Sequence, residues 1–194
     1  MNLAVYLSGR GSNFEAILAA IDAGSLNAKI VLVVSNNPDA QGLRTAERRG
    51  IATAVFERDK FASGEEFAGA MLNKLNEHKV EFIALAGYMR KIPPAVIRAY
   101  SKRIVNIHPA LLPKFGGKGM YGHFVHEAVI AAGEKETGVT IHYVDEIYDH
   151  GVIIAQCPVP VMPDDTPETL AQRTLAAEHK FYPEVLAKLF RRLK

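Results

Sequence analysis

Short apolar runs alternate along this chain with longer stretches in which apolar residues recur every three or four positions. The runs predict buried strands at Leu3 to Leu7, Ile30 to Ser35, Phe82 to Ala86, Ile104 to Ile107, Val139 to Val144 and Val152 to Val159, with a weaker one near Thr53 to Phe56. Between them, helices are predicted over Asn13 to Ala23, Gln41 to Arg49, Gly64 to His78, Ala95 to Tyr100, Phe124 to Ala132 and Pro167 to Leu193. This alternation calls for an α/β fold of parallel strands joined by crossover helices. Phe67, Met71, Leu72 and Leu75 form one helical stripe, and Phe181, Val185, Leu186 and Leu189 another; both are core faces. No repeat, low-complexity tract or Pro- or Ser-rich linker divides the chain, so residues 1–194 are expected to form a single domain.

With 194 residues, 48% of them hydrophobic, the chain can bury one good core. Net charge is +2, from 23 basic and 21 acidic residues without a long run of either sign, which argues against a nucleic-acid or membrane surface and for small-molecule partners. The opening MNLAVYLSGRGSN lacks a basic segment ahead of an apolar one, and no apolar run approaches the roughly 20 residues of a membrane span. A soluble, cytoplasmic protein is expected. Cys157 is the only cysteine, so there is no disulfide framework or thiolate metal set, and a buried structural thiol is expected there.

Three stretches carry candidate chemistry. In LAVYLSGRGSNFEAIL a strand, a turn with two glycines and a helix follow one another, which would let Gly11, Ser12 and Asn13 cradle a phosphate at the helix N-terminus. The bland reading is a tight turn with Ser12 as helix cap. Phe14 stands where a dinucleotide fingerprint needs its third glycine, and no Gly-Lys-Ser/Thr makes a P-loop. In VNIHPALLPKFGG, Asn106 and His108 are two apart, so they share a strand face where Pro109 ends the pairing. An amide donor and an imidazole at the carboxyl end of a parallel strand suit an oxyanion and a mobile proton. In VTIHYVDEIYDHGVIIAQ, Asp145 and Glu146 read as a solvated turn, while Asp149 sits at the tightest part, where it could face His108 and raise its pKa. The irregular Pro109 to His123 stretch, with four glycines between Gly116 and Gly122, suits a binding loop or lid.

Taken together, GRGSN, AGYMRKIP, NIHPALLPKF, HYVDEIYDHGVIIAQ and AAEHKFYP resemble, in order and over nearly the whole chain, the folate-dependent glycinamide ribonucleotide formyltransferases. That resemblance implies a three-layer, Rossmann-like formyltransferase fold with a mostly parallel seven-stranded sheet and one antiparallel strand. It implies formyl transfer from 10-formyltetrahydrofolate, as co-substrate, to the amine of glycinamide ribonucleotide, with no metal required. The family's catalytic residues fall on Asn106, His108 and Asp149, its nucleotide contacts on Gly11, Ser12, Asn13 and Glu178. Its folate pocket falls on Met89, Arg90, Lys91, Ile92 and Asn106, together with Asp145, Glu146, Ile147 and Tyr148. A homodimer stays open.

Some features depart from the family. SGEEF stands at the start of the helix beginning near Gly64, where some members carry a basic folate contact just before it, for which Lys60 is a weak substitute, and His150 stands where glycine is common. The Lys114–His126 loop is longer than the shorter family versions. Three other readings are weighed. Methionyl-tRNA formyltransferases and formyltetrahydrofolate deformylases share the catalytic trio but carry an extra C-terminal or N-terminal domain, for which this chain is expected to have no room. A metallohydrolase would use His108, His123, His126, His142, Asp149 and His150, though companion acids are missing. A nonenzymatic nucleotide-binding module would make Asn106 and His108 coincidental.

Overall fold

Leu3, Val5 and Leu7 project from one side of the first strand and Ala4 and Tyr6 from the other, and all five are fully buried. A strand buried on both faces needs a covering layer on each, and that requirement organises the chain. The computed structural model describes residues 1–193. Its elements are β1 (Asn2–Leu7), α1 (Ser12–Asp22), β2 (Lys29–Ser35), α2 (Gln41–Arg48), β3 (Thr53–Val55), α3 (Gly64–Glu77), β4 (Phe82–Leu85), α4 (Pro94–Ala99), β5 (Ile104–His108), α5 (His123–Ala131), β6 (Glu136–Tyr143), β7 (Ile153–Pro160) and α6 (Pro167–Arg192). A short 3-10 turn at Arg58–Lys60 follows β3, unannounced by any apolar pattern.

The seven strands form one sheet in the order β3-β2-β1-β4-β5-β6-β7. Strands β1 to β5 pair in parallel, whereas β6 runs antiparallel to both β5 and β7, so β6 alone is reversed. Helices α1, α2 and α6 bury Leu3, Val5 and Leu7, and α3 and α4 bury Ala4, Tyr6, Leu32 and Val34. Removing a buried side chain such as Ile17 or Met71 down to alanine would cost about 2–5 kcal/mol. Helix α5 makes a smaller cluster in which Val125 and Val129 meet Ala110 and Leu170.

Two expectations are corrected. β6 begins at Glu136 rather than Val139, because Gly138 hides the strand pattern: a Cβ there would collide with the Cys157 carbonyl and the Leu111 side chain. Cys157 is half-buried rather than buried, because β7 is an edge strand with only part of its length covered. The chain winds from β1 outward to β2 and β3, then returns to β4 on the other side of β1. At such a switch point the connections after the two strands diverge and leave a crevice at their carboxyl ends. No helix among the described residues is long and apolar enough to cross a membrane.

Candidate active site

A cleft of about 810 Å³ occupies that crevice. Its walls are the β1–α1 turn, the segment after β4, the end of β5, the 117–123 loop, the β6–β7 loop and the inner face of α6. Ile104, Asn106 and His108 share one face of β5 by the strand's two-residue period. Ile104 packs beneath the α3 and α4 layer, but loops rather than a helix reach the next two positions. Asp149 comes from the β6–β7 loop, which leaves the sheet beside Ile104 and folds back across this face.

The hydrogen bonds fix the tautomers. His108 is only 3% exposed, and its Nε2 lies 2.8 Å from the Phe115 carbonyl, which can only accept, so Nε2 carries the proton. Nδ1 is then the titrating position, and it faces Asp149 Oδ2 at 3.6 Å. His142 Nδ1 donates to the Tyr143 carbonyl at 2.8 Å, which leaves Nε2 to accept from Asn106 Nδ2 at 3.2 Å. The second hydrogen of that amide meets only a long 3.5 Å contact to Asp149 Oδ1, so it is free for an oxyanion. Asp149 also accepts from the Gly117 N–H at 3.0 Å. It adopts φ +54°, which an aspartate tolerates, and Gly151 makes the turn possible because a Cβ there would strike the Tyr143 carbonyl.

Burial pushes the His108 pKa down more strongly than Asp149 and the Phe115 carbonyl pull it up, with His142 adding to the fall. Asp149 thus pulls the His108 pKa upward as expected, but burial outweighs it and the net shift is downward. For Asp149 burial acts upward, yet the His142 and His108 imidazoles beside it and the Gly117 N–H it accepts from together hold its carboxyl below the usual range. It stays ionised beside an imidazole that is neutral at rest.

Gly11, Ser12 and Asn13 line the cleft at the start of α1. The N-cap is Gly11, at φ +82° and without a side-chain cap, so Ser12 is the first helical residue and not the cap. A Cβ at Gly11 would press on the Gly42 Cα at 3.0 Å. Glu178, which reads in sequence as a surface helix acid, is 8% exposed on the inner face of α6 and accepts from Asn13 Nδ2 at 2.7 Å. Burial pushes its pKa up to about 7. Met89, Arg90, Lys91 and Ile92 line the opposite wall with Asp145, Ile147 and Tyr148. Met89 N–H donates to Ser8 Oγ at 2.8 Å, which ties this wall to the β1–α1 turn. Glu146 is the named residue that does not line the cleft; it is exposed, 3.5 Å from Arg98.

The formyl transferase family model matches residues 1–186. The Bacillus subtilis phosphoribosylglycinamide formyltransferase is 42% identical over 96% of this chain and 93% of its own. The chain belongs to the phosphoribosylglycinamide formyltransferase family. A chloroplastic member of that name from Arabidopsis thaliana is 46% identical over 188 residues, which cover 96% of this chain and 64% of that relative. The chain thus spans less than two thirds of the length of that relative. A crystal structure of the formyltransferase from Bacillus halodurans superposes with a TM-score of 0.93 at 39% identity, covering 100% of this chain and 97% of that one. The fold is accordingly the mostly parallel formyltransferase fold.

His142 is the site residue that sequence reasoning missed in this role, having weighed it only as a metal ligand. It is 2% exposed, orients Asn106 and lies 3.5 Å from Asp149. Its signal lies in the pairing register, which sets His142 opposite Asn106. His123 packs on Phe124 at the surface and His126 is buried, although both line the cleft.

Proposed function

We propose that this chain transfers the formyl group of 10-formyltetrahydrofolate to the primary amine of glycinamide ribonucleotide, giving formylglycinamide ribonucleotide and tetrahydrofolate in de novo purine synthesis. One observation carries this: an amide hydrogen of Asn106, His108 Nδ1 and the Asp149 carboxylate converge at the switch-point cleft of a chain in this family.

The reaction joins the amine nitrogen to the formyl carbon, breaks the formyl–folate bond and moves one proton from the attacking amine to the departing one. Neither covalent nucleophile nor metal enters that balance, so alignment and proton handling suffice. The free Asn106 hydrogen stabilises the oxyanion as it develops. His108 Nδ1 holds and delivers the proton, and Asp149 orients the ring and steadies its charged form. Gly11, Ser12 and Asn13 present helix N–H groups to the nucleotide phosphate. Glu178 Oε1 and Asn13 Oδ1, the latter buried without a partner among the described residues, accept from nucleotide hydroxyl or amine groups. Met89, Ile147 and Tyr148 expose apolar surface at the mouth, where a pterin ring would cover it.

The deciding experiment mixes the protein with both substrates and follows tetrahydrofolate and formylated nucleotide together. Equal amounts of the two are expected. Formate without formylated nucleotide would reassign the chain to folate hydrolysis, and no turnover at all would remove the transferase reading.

A further inference from the structure

The strand face that bears His108 continues across two more strands. Thr140 is the direct partner of His108 in the β5–β6 pair, and Gln156 is the direct partner of Thr140 in the β6–β7 pair. Directly opposed residues project to the same side, so the three form one row. Thr140 is fully buried and its hydroxyl is saturated. It donates to the Ala110 carbonyl at 2.6 Å and accepts from Leu112 N–H at 3.0 Å and from Gln156 Nε2 at 2.9 Å. Gln156 Nε2 also donates to the Leu112 carbonyl at 3.0 Å.

Two side chains therefore hold both backbone groups of Leu112 and the carbonyl of Ala110, on the segment by which the chain leaves His108. That segment leads directly to Phe115, whose carbonyl binds His108 Nε2, and to Gly117, whose N–H binds Asp149. The fit is close on both sides. Leu111 packs where a Cβ on Gly138 would sit, and Leu112 where a Cβ on Gly116 would sit. Gln156 does not line the cleft.

Resting on the reading of the site given above, we propose that Gln156 is a positioning residue for formyl transfer. Acting through Thr140 and the 110–112 backbone, it sets the Phe115 carbonyl and the Gly117 N–H against His108 and Asp149. Misplacement of reacting groups by about 1 Å can cost about a hundredfold in rate, so a clamp remote from substrate can govern turnover.

The test is Gln156→Met, which keeps length and removes both donors, in the full chain. Turnover is expected to fall roughly tenfold to a hundredfold with KM for each substrate within about twofold of the parent. His108, followed by NMR, is expected to titrate at lower pH, because the carbonyl that favours its charged form is no longer held in place. The groups facing His108, namely Asp149, His142 and, from α5, His126, are unchanged by the substitution. Thr140→Ser should retain activity and Thr140→Val should behave like Gln156→Met. Lower Tm with parental kcat and His108 titration would make Gln156 a purely structural residue and overturn the proposal, as would a variant indistinguishable from the parent. Should Gln156→Met not fold, Gln156→Asn, which keeps the amide but shortens its reach, is read against the same outcomes. The NMR titration needs no turnover, so it remains informative even where the substrate assignment fails.

Discussion

Asn13 Nδ2 donates to Glu178 Oε2 at 2.7 Å across 165 positions of chain, joining the first turn of α1 to the inner face of α6. The amide offsets part of the burial of this carboxyl, whose pKa is pushed up to about 7 from an ordinary 4.5. Because the folded value is raised, the folded state binds the proton more tightly than the unfolded chain. The associated stability is fully present below about pH 4.5 and is lost as pH rises through about 7, a swing of about 3 kcal/mol.

Glu178→Gln removes that titration. The variant should gain stability over the parent as pH rises from about 5 to about 8, while its affinity for the nucleotide falls through loss of a charged acceptor. Urea melts at the two pH values check the first part and calorimetric titration the second. Parallel pH dependence in parent and variant would remove the buried-carboxylate account.

His108→Ala should lower kcat by roughly 10²–10⁴-fold, the usual weight of a positioned proton carrier. Binding of either substrate should change little, since the Asn13, Glu178 and Met89 walls are untouched. Turnover within a few-fold of the parent would sink the role given to this imidazole.

Asp149→Asn takes away the carboxylate that opposes the burial-driven fall of the His108 pKa. His108 should then titrate at still lower pH, and the limb of the kcat profile that it governs should move the same way with a lower plateau. A pH–rate profile that superposes on the parent after scaling would show that the two groups are not coupled.

Tyr182 and Tyr6 are both fully buried, but only one hydroxyl is satisfied. Tyr182 reaches the Leu85 carbonyl at 3.0 Å and the Val105 carbonyl at 3.3 Å, whereas the Tyr6 hydroxyl has no partner among the described residues. Tyr182→Phe should cost about 1–2 kcal/mol, and Tyr6→Phe should be neutral or stabilising. Equal losses in chemical denaturation would contradict this difference.

Most strands were legible because their residues are apolar on both faces, as parallel strands between two helical layers must be. Asn106 and His108 were legible for the converse reason: they interrupt such a run just before Pro109. Glu178 carries a signal in its helical spacing. Leu170, Thr174, Glu178 and Tyr182 recur every four positions on the buried stripe of α6, so an acid there lies on a core face and not at the surface. His142 and Gln156 were illegible in principle, since each matters through the strand residue it opposes, and register is a property of the folded sheet. The net direction of the His108 shift likewise required burial, which spacing does not supply.

The reversal of β6 also fixes how this site can change over time. Asn106 meets His142 and His108 meets Thr140 only in one alignment, and Ile141 between them belongs to the core on the opposite face. Inserting or deleting a single residue in β6 would turn Ile141 into the cleft and send both polar neighbours into the hydrocarbon interior. A one-residue change in the length of β6 between Thr140 and His142 would therefore dismantle the site, whereas a substitution that keeps the alternation of faces would leave its frame in place.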